Sequence, residues 1–446
     1  VDEGVAMDSD RFPSITESGR KMLLFLAEHP NAPIFRNKSG NRLTDEDIGF
    51  LREREKSIEE SRPGWPKGGQ PRWIDDFVAD CIESVPFYRR YGFPGELSAL
   101  PLVSRADLGH DISAFVPDTV PIDRLVNYRT SGTSGHPLLI ASHPRVAASY
   151  LLYLKRALGR FGIELHNGKG QVGVLLVGWQ KECFTYVSVT PIMDESGLAK
   201  INLHPDDWKS PDDRWKYIDA LRPEVITGDP LSFEVLASLP ITHTPRVLIS
   251  TSMTLLPGLR SALETRFDCP VLDIYSMNEA GPIAVFDGTI GGHALLQERL
   301  YIEILNEAGD RLPDGERGEI TLTGGFNFCI PLLRYRTGDQ ASISRIGDDI
   351  VLVGLEGRPP VLFRTLGGKW INNIEVTHAL RRFPVPRFTL RQESDGSLAL
   401  GLPPQSSAAP GIEACLRELF GAEQNIHVAE IAEEGKVIQY STALER

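Results

Sequence analysis

The sequence lacks any apolar run long enough to cross a bilayer, which excludes a membrane-spanning helix as an organising element. Cysteine is scarce: Cys81, Cys183, Cys269, Cys329 and Cys415 are odd in number, far apart and without a C-x-x-C pair. That spacing excludes a zinc ribbon or dithiol redox centre, and the five read as reduced structural thiols. Ten scattered histidines supply no H-E-x-x-H pair, so no structural metal held by protein alone is expected. Positive charge is also short, with 47 Lys and Arg against 60 Asp and Glu, a net charge of −13. This balance argues against nucleic acid or an anionic membrane as partner, while allowing a local basic pocket for phosphates. Residues 1–11 are acidic and lack a basic start before an apolar stretch, so they do not read as a secretory signal, and a cytoplasmic setting is the default expectation. There is no internal repeat or heptad pattern, and the only biased tract is the short loop 403–410.

What is present is the composition of an ordinary globular protein, 41% hydrophobic and 24% charged. A chain of 446 residues exceeds the roughly 250 to 300 that one core usually sustains, so more than one domain is expected. Residues 19–29 and 44–60 have helical periodicity, and 64–70 form a Gly/Pro/Lys-rich connection. From 125 to 279, short apolar runs alternate with amphipathic helices, the pattern of parallel strands joined by crossover helices. Strands are predicted at 172–177, 224–227, 246–250 and 270–275, with Asp229-Pro230 as an N-cap and first helical residue and a second helix at 259–267. Ligands of such sheets collect beyond the carboxyl ends of the strands, so chemistry is sought in the loops after Val177, Thr227, Ser250 and Tyr275. Beyond residue 279 the alternation at 298–305, 318–322 and 341–346 predicts a distorted sheet or small barrel. The last segment predicts a small α+β unit: strands at 387–392, 397–401 and 425–431 and a helix at 411–420.

The sharpest local signal is Thr130-Ser131-Gly132-Thr133-Ser134-Gly135, where hydroxyls and backbone N–H groups alternate with glycines that can wrap phosphate oxygens. It lacks the G-x-x-x-x-G-K-[ST] spacing of a P-loop. Taken alone it is also compatible with a polar surface turn.

T-S-G-T-S-G-H-P resembles the phosphate loop of the acyl-adenylate-forming superfamily, and four more elements follow in that superfamily's order. Tyr275-Ser276-Met277-Asn278-Glu279 is similar to its Y-G-x-T-E element, Tyr335-Arg336-Thr337-Gly338-Asp339 to its Y-x-T-G-D element, Gly357-Arg358 to its hinge and Gly435-Lys436 to its late G-K. Val85-Pro86-Phe87-Tyr88 and the segment 100–107 resemble stretches of the phenylacetate-CoA ligase branch.

The resemblance implies an α/β fold: a large N-terminal domain, residues 1–356, with parallel sheets and a distorted barrel, and a small α+β C-terminal lid, residues 357–446. It implies ATP and Mg²⁺ as cofactors, a small carboxylic acid as substrate, and CoA as a candidate acceptor beside an amine or a carrier protein; a homodimer is left open. Lys436, Glu279 and Thr130 take the catalytic roles. Lys436 bridges the attacking carboxylate and the α-phosphate, and Glu279 doubles as the Mg²⁺ ligand. Ser131, Gly132, Thr133, Ser134, Gly135, Ser252, Asp273, Tyr275, Ser276, Asn278, Asp339 and Arg358 form the nucleotide-binding set. In it the two oxygens of Asp339 suit the paired ribose hydroxyls and the Tyr275 face suits adenine. Without the resemblance, Asp339 reads as a solvated turn aspartate and Lys436 as a solvated terminal lysine. The acid is expected near Gly178-Trp179-Gln180, Thr227-Gly228-Asp229 and residues 250–253, whose aromatic surface suggests a substituted aromatic acid. The hinge departs from the pattern, since Gly357-Arg358-Pro359-Pro360 lacks the usual aspartate and carries two prolines that restrict φ.

Overall fold

The computed structural model describes residues 10–92, 95–129, 138–180, 183–357, 361–380, 382–385, 388–404, 406–431 and 439–444. Near the N-terminus the helices Glu17–Glu28 and Asp45–Glu60 form where periodicity placed them. The second is started by Thr44, whose side chain accepts from the Asp47 N–H while the Asp47 carboxylate accepts from the Thr44 N–H.

Strands β1 (Val126–Arg129) and β2 (Leu139–Ser142) then pair antiparallel, with Arg129 opposite Leu139. The helix Pro144–Arg160 leads into β3 (Val172–Gly178), β4 (Tyr186–Thr190), β5 (Ser196–Asn202), β6 (Val225–Gly228), β7 (Val247–Ser250) and β8 (Val271–Met277). The chain continues through β9 (Gly281–Asp287), β10 (Gly292–Leu295), β11 (Leu300–Leu305), β12 (Gly318–Gly324), β13 (Leu332–Ile346) and β14 (Asp349–Gly357). These twelve strands form one sheet in the order β11-β12-β13-β14-β10-β9-β8-β7-β6-β3-β5-β4. The centre, β5-β3-β6-β7-β8, is parallel, and both flanks are antiparallel.

The parallel strands are apolar on both faces because helices cover both. Leu175, Ile226, Leu248 and Val271 pack with Leu26, Tyr217, Phe233 and Leu263 on one side. Val174, Val225, Val247 and Leu272 pack with Leu51, Ile58, Leu152 and Leu158 on the other. Asp229 caps the helix Pro230–Ser238, its carboxylate accepting from the Ser232 N–H at 2.8 Å, with Pro230 in the first turn. The antiparallel strands β9 to β14 continue the same sheet over a third core that includes Ile302, Ile320, Leu333 and Tyr335.

A separate four-stranded sheet, order β19-β18-β17-β20, follows a short hairpin of β15 (Leu362–Arg364) and β16 (Trp370–Asn372). Its members are β17 (Thr389–Gln392), β18 (Leu398–Leu402), β19 (Ile426–Glu430) and β20 (Tyr440–Thr442), and the helix Ala409–Phe420 packs on it. The architecture is therefore a large mixed-sheet α/β part followed by a smaller α+β part.

Two expectations shift. Residues 341–346 are the end of a strand that begins at Leu332, so Thr337-Gly338-Asp339 lies inside β13 and is not a turn. Gly338 holds φ +80 there and the pairing to β12 slips between Glu319, opposite Gln340, and Thr321, opposite Arg336, which lets a turn-like tripeptide sit within a strand. Strands β1, β2, β4 and β5 carry no clear apolar pattern in sequence, and β5 is interrupted by Gly197 and Lys200. All five cysteines are buried and free. No helix among the described residues is long and apolar enough to cross a membrane.

Candidate active site

The parallel strands end together, and their carboxyl ends converge with β13. Strand β8 carries Tyr275 near its end and Glu279 two residues beyond it. Register places Tyr275 opposite Ala284 of β9, and the neighbouring core holds Tyr335 of β13. Two acid–phenol pairs result. The Tyr275 hydroxyl donates to Asp339 Oδ2 at 2.6 Å, and the Tyr335 hydroxyl donates to Glu279 Oε1 at 2.6 Å. Burial, and then the adjacent Asp339 carboxylate, push the Tyr275 phenol well above its ordinary range; burial and Glu279 do the same to Tyr335. Both phenols are therefore neutral donors that orient a carboxylate.

Glu279 is only 2% exposed, with Arg105 Nη1 3.8 Å from Oε1 as a partial counter-charge. A buried carboxylate with one oxygen fixed by a phenol fits Mg²⁺, which keeps waters and takes its other ligands from substrate phosphates. No group of three or more His, Cys, Asp or Glu side chains among the described residues could hold a metal alone.

Asp339 is held by Tyr275 and through its own N–H, which donates to Thr337 Oγ1 at 3.0 Å. It faces Gly357, where an added Cβ would stand 3.3 Å from Asp339 Oδ1. One of the two oxygens expected to meet ribose hydroxyls is thus shared with Tyr275. Tyr275 and Ser276 are half-buried and Asn278 is exposed, its carbonyl accepting from the Tyr150 hydroxyl at 3.1 Å. Asp273 lies two residues before Tyr275 on the same face of β8, with His293 Nε2 3.7 Å away. Ser252 is exposed at left-handed φ +70 in the loop after β7.

The loop Thr130, Ser131, Gly132, Thr133, Ser134 and Gly135 lies outside the described residues, as do Arg358, the two hinge prolines and Lys436. The flanking strands β1 and β2 are described.

The loops in which the acid is expected lie among the described residues. Trp179 packs on His204 with ring centroids 5.2 Å apart, and the Asp229 carboxylate is occupied as a helix cap. A cleft of ≈ 390 Å³ lined by Arg222, Glu224, His243 and Arg246 lies at the amino ends of the parallel strands, opposite the acid–phenol pairs. Sequence reasoning missed Tyr335 as an orienting group and Arg105 as a counter-charge. Tyr335 begins a motif already singled out, and Arg105 lies in the segment 100–107, where the resemblance gave it no role.

The large-then-small architecture matches 2-hydroxyisobutyryl-CoA ligase in complex with an acyl-AMP in its postadenylation state, with a TM-score of 0.62 at 17% identity. That match covers 87% of this chain and 89% of the other. The same ligase in its thioesterification state gives a TM-score of 0.51 at 18% identity, over 88% and 90% of the two chains. At this level of identity the likeness is one of fold.

Among curated proteins the similarity runs to phenylacetate-coenzyme A ligases. That of Aromatoleum evansii is 24% identical over 292 residues, 59% of this chain and 63% of the relative, and that of Thermus thermophilus 26% over 300 residues, 60% and 64%. That of Pseudomonas putida is 35% identical over 85 residues, 18% of this chain and 19% of the relative. The chain thus spans less than two thirds of the length of these relatives. No protein-family model matches the chain.

Proposed function

We propose that this chain uses ATP to activate a carboxylic acid as an acyl-adenylate, with release of pyrophosphate, and passes the acyl group to CoA. The observation that carries the reading is the pair of oriented carboxylates, Asp339 held by Tyr275 and Glu279 held by Tyr335, at the carboxyl ends of the parallel strands. In this reading residues 1–356 bind ATP and acid, and residues 357–446 close over them. Thr130, Ser131, Thr133 and the glycines between them wrap the phosphates, while Tyr275, Ser276, Asn278, Ser252, Asp273, Asp339 and Arg358 hold the nucleoside. Glu279 would hold Mg²⁺, which supplies charge neutralisation on the phosphates. Lys436 stabilises the charge that develops as the acid's carboxylate attacks the α-phosphorus. No protein nucleophile is required, and catalysis comes from positioning and preorganised charge.

The sequence similarity to phenylacetate-coenzyme A ligases supports an aryl or small organic acid, with an aromatic acid as the first choice. A second acceptor class, an amine or carrier-protein thiol, is favoured by Pro359-Pro360, where the missing aspartate and fixed φ work against domain rotation.

Acid-dependent ATP–pyrophosphate exchange over aromatic, amino and short aliphatic acids tests the first step. AMP release that requires CoA then supports the thioester route, and release indifferent to CoA supports the second class. Exchange at background for every acid, despite ATP binding, would remove the adenylating reading.

A further inference from the structure

Resting on that reading, we infer that Gln297 is a positioning residue for Glu279. It lies between β10 and β11, outside every motif, and is 1% exposed. Its carboxamide nitrogen donates to two carbonyls at once, those of Ala280 at 2.6 Å and Pro282 at 2.8 Å. These carbonyls flank Gly281, and Ala280 directly follows Glu279. The amide can face only one way, because the opposite orientation would set its oxygen against two carbonyl oxygens.

The same turn is wedged from the other side. Gly281 sits at φ +70, and a Cβ built there would fall 2.0 Å from the Phe326 ring, so neither conformation nor space admits a side chain. Phe326 in turn packs on Tyr150 and Tyr153 of the helix Pro144–Arg160, with ring centroids 5.3 and 5.1 Å away. Next to Gln297, Glu298 Oε2 accepts from Arg156 Nη1 of that helix at 3.3 Å. Gln297 therefore holds the backbone behind Glu279, its neighbours Leu296 and Glu298 are fixed to the helix that follows β2 through Arg156, and Tyr335 orients the carboxylate at its far end.

The arrangement leaves Gln297 Oε1 buried without a hydrogen-bond partner among the described residues. An orphaned buried acceptor is destabilising. For packing alone, an apolar side chain of the same length would fill this core position at less cost. The glutamine here therefore points to what the nitrogen does at the turn.

The test is calorimetric binding of ATP to the full chain, with magnesium chloride and separately with EDTA. Gln297→Met keeps length and volume but removes both donors, and Gln297→Glu keeps the shape but turns oxygens toward the carbonyls. Both are expected to lose about tenfold in ATP affinity with magnesium and less than twofold in EDTA. Wild-type affinity with magnesium in both variants overturns the inference. So does an equal loss in the two media, which would mark a merely structural glutamine. If wild-type ATP binding is indifferent to magnesium, the role of Glu279 falls and this inference with it, while absence of acid-dependent exchange in the wild type would instead count against the adenylating reading.

Discussion

Glu279 and Asp339 each give one carboxylate oxygen to a tyrosine hydroxyl, and this decides how substitutions at the site should behave. In Glu279→Gln the amide oxygen can still accept from Tyr335, so packing is kept and only the charge is lost. Acid-dependent pyrophosphate exchange should then fall by about two to three orders of magnitude, as when one charge-stabilising group is removed, with an unchanged melting curve. Lys436→Ala should produce a similar drop, about 10² to 10³ in exchange rate, while ATP binding by calorimetry stays near wild type. At this scale Tyr275, Asp339 and Glu279 were legible as members of ordered motifs. The roles of Arg105 and Gln297 were not, because each acts through a contact made only once the strands are in place, and no local pattern announces such a contact.

Among the elements, the helices Asp45–Glu60 and Pro144–Arg160 are joined by Asp47. Its carboxylate accepts from Thr44 N–H at 2.9 Å, Arg145 Nε at 2.5 Å and Arg124 Nη2 at 2.6 Å. Burial alone would raise its pKa, but these donors outweigh it and bring the value from 3.8 down to about 2. A carboxylate depressed on folding stabilises the folded chain above its unfolded pKa, and that contribution is lost as pH falls through about 2. The shift corresponds to about 2 kcal/mol. Asp47→Asn should therefore lower stability by about 2 kcal/mol at pH 7, and its urea midpoint should approach the wild-type value as pH is taken from 4 toward 2. A constant gap across that range would count against the account. The helix itself was legible from periodicity and from Thr44 as its start. Its tie to Arg145 was not, since the partner lies 98 residues away.

At the scale of the whole molecule, the large and small parts meet where Leu256, immediately before the helix Pro257–Phe267, enters the apolar cluster of Phe363, Val376, Leu416 and Phe420. Gly258 follows it, and a Cβ there would stand 2.7 Å from the Phe383 carbonyl, so the two backbones approach closely. Leu256→Ser should loosen this contact without harming the helix, because serine is a favourable N-cap. Limited proteolysis should then separate the small part faster, with melting of the large part unchanged; equal cleavage rates would show that the contact does not hold the parts together.

The alternation of short apolar runs with helices was enough, from sequence alone, to determine a parallel sheet covered on both faces, since a strand buried on both sides must be apolar throughout. The order of glycine loop, Y-S-M-N-E, Y-R-T-G-D and G-K elements likewise determined which chemistry to look for. Only tertiary structure decided that Thr337-Gly338-Asp339 lies inside a strand, that two phenols orient the two carboxylates, and that Gln297 braces the turn behind Glu279. Hydrogen bonds between residues tens of positions apart depend on strand order and register, and those are properties of the folded sheet that no local window of sequence contains.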